Sequence, residues 1–220
     1  MIEENKGFEN ERVPELEERG AIEESGEGKE ESRSDGFENT IYDWARCLVS
    51  AVVGVVLLFV FLFRMIGVSG GSMQNTLYTG DRLIMLNSVF CNYEQGDIVV
   101  INAYNSALSS TIIKRIVAVG GQTVDIDFEQ GIVYVDGVAM DEPYVRELTY
   151  TNEGVSFPLT LAEDEVFVMG DNRNRSTDSR SLQLGPVKES YIQGEAVFLL
   201  IPGKDPDSEK MDWSRFGFLN

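Results

Sequence analysis

Cys47 to Phe63 reads CLVSAVVGVVLLFVFLF, an apolar run without a single charge. Arg46 and Arg64 flank it, and Tyr42 and Trp44 precede it in the manner of interfacial anchors. Counted on through Met65, Ile66 and Val68, it is long enough to cross a bilayer core of about 30 Å. The run therefore divides the chain into three expected parts: an acidic segment over 1–44, a transmembrane anchor over 45–67 and a folded domain over 68–220. A cleaved secretory signal fits less well, because its n-region would be long and acidic and no clear small-x-small site follows.

Upstream, residues 1–44 carry fifteen Asp or Glu against five Lys or Arg, with apolar residues scattered without period. Such a segment buries too little surface to offset its ordering entropy and is expected to be disordered. Downstream of Gly80 the pattern is β. DRLIMLN, GDIVVINAY, IIKRIVAVGG, TVDIDF, GIVYVDGVAM and DEVFVMGDN are short β-branched or alternating runs, punctuated by Gly and Asp. GIVYVDGVAM reads as a hairpin turning at Asp136-Gly137. No stretch after residue 70 sustains a helical period, so coiled sheets or a barrel are expected, not a βαβ fold. Residues 146–160 read as an exposed connection. The tail beyond Pro202 brings Trp213, Phe216 and Phe218 to the surface of the domain or to the membrane.

The chain has 220 residues and a formal net charge of −19, which argues against nucleic acid as a partner. Its two cysteines, Cys47 in the apolar run and Cys91 far downstream, form no disulfide framework. There is no histidine. That excludes a Ser-His-Asp or Cys-His device and any His-ligated metal, and a serine nucleophile here needs another base, for which lysine is the usual candidate.

One serine is suited to the task. In SGGSMQNTL, Ser69 to Leu77, the glycines Gly70 and Gly71 let the hydroxyl of Ser72 stand clear of its own chain. Taken alone, Gly-Gly-Ser is equally a connector after a membrane helix. Likewise Lys114, in TIIKRIVAV, is either an ordinary strand residue or a buried amine whose pKa is lowered towards neutrality. Two further blocks decide between them: Ile113-Lys114-Arg115-Ile116-Val117-Ala118 before Gly120-Gly121, and GDNRNRSTDSR from Gly170 to Arg180. With Ser72-Met73-Gln74-Asn75-Thr76-Leu77 after an anchor, they resemble the type I signal peptidases, membrane-bound Ser-Lys endopeptidases that remove signal peptides. GDIVV at 96–100 and DGVAMDEPYV at 136–145 join the resemblance, which runs from the anchor to about Pro202.

The resemblance implies Ser72 as nucleophile, Lys114 as general base and Ser176 as the hydroxyl that orients the lysine. Asp178 with Arg180, and Arg115 with Asp171, are implied as ion pairs holding the loop that carries Ser176. The oxyanion hole falls to Ser72 and Gly70 through backbone N–H groups, since Gly70 stands where some members carry a serine. Met73, Leu77, Ile112 and Ile113 are either core or the walls of a pocket for small side chains. The implied fold is mainly β, a coiled antiparallel or barrel-like catalytic domain after one N-terminal transmembrane helix. No cofactor or metal is implied; the partners are preprotein signal peptides and the lipid bilayer, with the N-terminus cytoplasmic and the catalytic domain outside. The chain departs from the pattern at Asn75, where the family usually has proline; losing it gives the turn about 0.4–1 kcal/mol more unfolded-state freedom. The alternative function is a membrane-anchored β-domain that binds partners and has weak or no activity.

Overall fold

The computed structural model describes residues 31–104, 106, 108–206 and 208–219. The acidic residues 1–30, expected to be disordered, lie outside them. A helix, α1, runs over Glu31–Leu62, so it begins inside the segment expected to lack order. Once an apolar stretch is helical, each added residue gains one backbone hydrogen bond for the dihedrals it fixes, and the helix extends beyond it. Its portion from Thr40 to Leu62, 23 residues, is long and apolar enough to cross a membrane. At 1.5 Å per residue that is about 35 Å.

The helix does not reach residue 67, where the anchor was expected to end. Phe63–Gly67 is strand β1, paired antiparallel with β2 (Arg82–Asn87), Phe63 opposite Leu86 and Gly67 opposite Arg82. The expected length came from Met65, Ile66 and Val68; the structure takes it instead from residues before Cys47. Ile66 packs against a core that buries Val68, Leu83 and Ile98, and that burial draws this segment into the sheet.

The remaining strands are β3 (Ile98–Asn102), β4 (Thr111–Ala118), β5 (Thr123–Asp127), β6 (Ile132–Val135), β7 (Val138–Ala139) and β8 (Leu159–Thr160). They are followed by β9 (Glu165–Met169), β10 (Val187–Lys188), β11 (Ile192–Ile201) and β12 (Gly217–Phe218). Eight form one antiparallel sheet in the order β1-β2-β11-β3-β4-β9-β10, with β12 on β11. The other four form a second sheet, β7-β6-β5-β8. The Asp136-Gly137 hairpin is present, both residues at positive φ. Register shifts in β11 and between β4 and β9 supply the coiling that a flat sheet lacks.

Three apolar clusters make the core. One sits under the smaller sheet around Val124, Val133 and Phe167, and another joins Val99, Ile116, Val166 and Val168. The third lies directly beneath the turn that carries Ser72 and includes Met73, Leu77, Leu83, Ala196 and Leu199. In the tail, Phe198 meets the rings of Phe216 and Phe218 edge-on at 5.0 Å each.

Candidate active site

β4 delivers two buried cations in succession. Adjacent strand residues project to opposite sides, and the two cations have different partners. Lys114 Nζ donates to Ser72 Oγ at 2.7 Å. Arg115 donates through Nε and Nη2 to the two oxygens of Asp171, at 3.0 and 2.9 Å, and through Nη1 to the Gly96 carbonyl. Lys114 is only 3 % exposed. Burial pushes its amine down from 10.5 to about 8, although the carboxylates of Asp178 and Glu153 pull the other way.

The turn bearing Ser72 is fixed from several sides. Its backbone curls into one tight loop, Thr76 and Leu77 both donating to the Met73 carbonyl. Asn172 N–H donates to the Ser72 carbonyl at 3.0 Å, and Asn172 Nδ2 to the Gly71 carbonyl at 2.9 Å. Thr76 Oγ1 donates to Asp171 Oδ2 at 2.5 Å. Gly170 is where the two segments touch: a side chain there would collide with both Ser176 Oγ and the Ser72 carbonyl. Only glycine permits that approach.

The loop over 170–180 is a set of satisfied buried charges. Arg180 pairs with Asp178 through Nε–Oδ1 at 2.8 Å and Nη2–Oδ2 at 2.9 Å, and both are fully buried. Arg173 donates to Gly170 and Thr149 and forms a two-point pair with Glu142 at 2.8 and 2.6 Å. Removing one partner of such a pair costs about 3–5 kcal/mol, because the other charge is left stranded. Glu142, Thr149 and Arg173 were not singled out in the sequence. The available signal was an acid in DGVAMDEPYV and a surplus arginine in the 170–180 block. The connection over 146–160 is mostly exposed, yet it buries Thr149 and lends the Thr151 carbonyl to Arg180.

Three expectations change. Ser176 Oγ donates to Asp178 Oδ2 at 2.8 Å, while the one hydrogen bond of Lys114 Nζ among the described residues goes to Ser72. In this geometry the Ser176 hydroxyl is bonded to Asp178 and not to the lysine. Gly70, at φ +99, is no free oxyanion donor, because its N–H donates to Thr79 Oγ1 at 3.1 Å and the same hydroxyl donates back to its carbonyl. The Ser72 N–H, by contrast, has no acceptor among the described residues. Asn75 lies at φ +96 with its amide on the Tyr144 carbonyl. A proline ring cannot take that φ, so the asparagine fits a turn from which proline is excluded.

Beside Ser72 and Lys114 opens a cavity of about 460 Å³ walled by Ile66, Val68, Met73, Ile112 and Ile113. Leu77, offered as a pocket residue, is core: it is fully buried below the turn and does not reach the cavity. β9 pairs with β4 only from Arg115 onward, so among the described residues Thr111 to Lys114 have no strand partner on that side and line this cavity. A serine hydroxyl touching a desolvated amine, beside an open backbone N–H, can perform acyl transfer without a histidine.

The model of the family "signal peptidase, peptidase S26" matches residues 41–201. Signal peptidase I of Bacillus licheniformis is 33% identical over 181 residues, covering 78% of this chain and 95% of that one. Signal peptidase I T of Bacillus subtilis is 35% identical over 175 residues, covering 74% and 87%. A solved signal peptidase I from Enterococcus faecalis aligns with 48% of this chain and 97% of its own at 27% identity, with a TM-score of 0.39, too low to add to the fold described above. With the family model matched over most of the chain and relatives above 30% identity covered almost end to end, the chain belongs to the signal peptidase family, as a serine endopeptidase of the signal peptidase I type.

Proposed function

We propose that Ser72 and Lys114 are the reacting pair, and that the protein, held in the bilayer by Thr40–Leu62, cleaves signal peptides from exported preproteins after a small residue. The observation that carries this is the 2.7 Å contact between a buried amine and the Ser72 hydroxyl. With the lysine protonated, Nζ donates to Oγ. Once the lysine is neutral the same contact reverses, the hydroxyl donates to Nζ, and Oγ attacks the scissile carbonyl. The Ser72 N–H faces the resulting oxyanion. Lys114 passes its proton to the leaving amine, leaving an ester on Ser72. Water, deprotonated by the same amine, then hydrolyses that ester and restores both groups.

An extended peptide can lie along the free edge of β4 and take main-chain hydrogen bonds there. Its side chains enter a cavity where Ile66, Val68, Met73, Ile112 and Ile113 supply apolar contacts beside polar groups such as Ser110 and Gln193, and the apolar part suits small apolar side chains. Asp178, with Ser176 and Arg180, sets the field around the lysine, and Asp171 with Arg115 fixes the turn. The N-terminus is placed in the cytoplasm and the β-domain outside. Labelling of an engineered cysteine near residue 205 from outside, and not of one near residue 20, tests that orientation.

For the chemistry, the detergent-solubilised protein is incubated with a model preprotein and the product's N-terminus is sequenced. Cleavage by the parent and its absence from Ser72→Ala and Lys114→Met is the expected result. A Ser72→Ala protein that cleaves at the same bond would overturn the assignment.

A further inference from the structure

The turn that carries Ser72 has a second support, reaching it from the end of the chain. Asp81, at the foot of the turn, is fully buried. Its oxygens accept from the Tyr78 N–H at 2.8 Å, the Gly203 N–H at 2.5 Å, and Arg215 through Nη1 at 3.2 Å and Nη2 at 2.6 Å. Arg215 Nη2 also donates to the Thr76 carbonyl at 2.8 Å, and the guanidinium lies over the Tyr78 ring at 4.1 Å. Thr76 is therefore gripped on both sides, its hydroxyl by Asp171 and its carbonyl by Arg215. Through its N–H it is bonded to the Met73 carbonyl, one residue beyond Ser72.

We infer that Arg215 is a positioning residue for the reaction, holding the Ser72 turn in register with Lys114 through Asp81 and the Thr76 carbonyl. This rests on Ser72 being the nucleophile. Arg215 stands beyond the residues that the family model matches. It belongs to a short turn, Trp213–Arg215, whose Asp212 caps it by accepting from Ser214 N–H, and β12 then pins the chain to β11. The guanidinium is thus held by ordered backbone on its own side. Its planar fork lets one nitrogen serve two acceptors on different segments, a carboxylate and a carbonyl, which an ammonium does with less fixed geometry. Without it the turn keeps its links to the 170–180 loop and its buried Met73 and Leu77, but the Thr76 carbonyl loses its partner and Asp81 its countercharge. Misplacement of a nucleophile by a fraction of an ångström to 1 Å lowers the rate by up to about a hundredfold.

The test uses the full chain in detergent and steady-state cleavage of a signal-peptide substrate by four variants. Arg215→Met should lower kcat by about 10- to 100-fold with KM within about twofold, the pattern of an interaction needed in the transition state. Arg215→Lys, which keeps the charge on Asp81, should recover part of kcat. Arg215→Met with Asp81→Asn removes both charges, so no carboxylate is stranded and thermal stability should return towards the parent while kcat stays low. If kcat in the double variant returns together with stability, Arg215 is a structural strut only and the inference fails. It fails equally if Arg215→Met is folded and cleaves like the parent, or if KM alone rises. Should Arg215→Met not fold, the double variant and Arg215→Lys decide: parent-like kcat in both overturns the inference. Ser72→Ala runs alongside, and cleavage by it would refute the assignment of the nucleophile itself, as distinct from the role of Arg215.

Discussion

Replacing Lys114 with methionine should abolish cleavage and make the protein more stable at neutral pH. Burial moves the lysine from 10.5 to about 8. That difference corresponds to about 3 kcal/mol by which the folded state disfavours the protonated amine. The sign follows from proton counting. The folded value lies below the unfolded one, so between about 8 and 10.5 the unfolded chain binds more protons, and stability rises with pH across that window. Below the folded value the penalty is complete; at pH 7 about nine-tenths of the folded protein still carries the charge. Methionine keeps the apolar stem and roughly its volume. No carboxylate is stranded, because Asp178 retains Arg180 and the Ser176 hydroxyl. The loss is the bond to Ser72, about 1 kcal/mol. Lys114→Met should thus gain about 2 kcal/mol at pH 7, the gap closing by about 1.4 kcal/mol per pH unit above pH 8 and vanishing before pH 10.5. Guanidinium unfolding of parent and variant in the same detergent, followed at pH 7, 8, 9 and 10, measures it. An inactive variant that is no more stable at pH 7, or whose difference from the parent is flat between pH 8 and 10, would show that the amine is not desolvated and that the base lies elsewhere.

The same lysine predicts that kcat/KM rises with pH and levels off with a midpoint near 8; a profile flat from pH 6 to 9.5 would exclude Lys114 as the base. Asn75→Pro should cost more than about 1 kcal/mol because φ is +96, whereas Asn75→Gly should change stability by less than about 0.5 kcal/mol, both read from thermal unfolding. Gly170→Ala should abolish cleavage, since the added carbon has to displace Ser176 or the Ser72 carbonyl; activity above a tenth of the parent's, an order-of-magnitude threshold, would contradict that packing. Ser176→Ala should lower kcat by about tenfold with KM unchanged, through loss of a hydrogen bond to the buried Asp178 carboxylate; a rise in KM alone would make Ser176 a substrate-binding group.

What could be read from the chain in advance divides along physical lines. Strand signals are local, so β2, β5 and the Asp136-Gly137 hairpin were visible as patterns of period two, and β3 and β4 as short β-branched runs. The absence of histidine left lysine as the usual base, and the blocks around Ser72, Lys114 and Ser176 brought the site residues together. The end of the helix was not visible: beyond Arg64 the residues Met65, Ile66 and Val68 resume the apolar run, and only pairing with β2 tells strand from helix. Equally hidden were contacts between distant groups. Arg173 with Glu142 and Arg215 with Asp81 leave no periodic trace, and nothing local to Gly70 announces that Thr79 takes its N–H. Leu77 shows the remaining ambiguity, since a leucine near a nucleophile reads alike whether it faces substrate or core.

The passage from Leu62 in α1 to Phe63 in β1 without an intervening loop has a geometric consequence. β1 spans five residues, at about 3.3 Å each some 16 Å of stiff, paired chain. Ser72 follows the end of β1 closely in sequence, so the nucleophile is joined to the end of α1 through paired strand and not through a loose tether. Lengthening β1 and its partner together by two residues, which preserves the faces of both strands, would add about 7 Å to that connection. That should shift the preferred bond along a model preprotein while leaving the chemistry at Ser72 as it was, and an unchanged cleavage position would show that the connection does not select the bond.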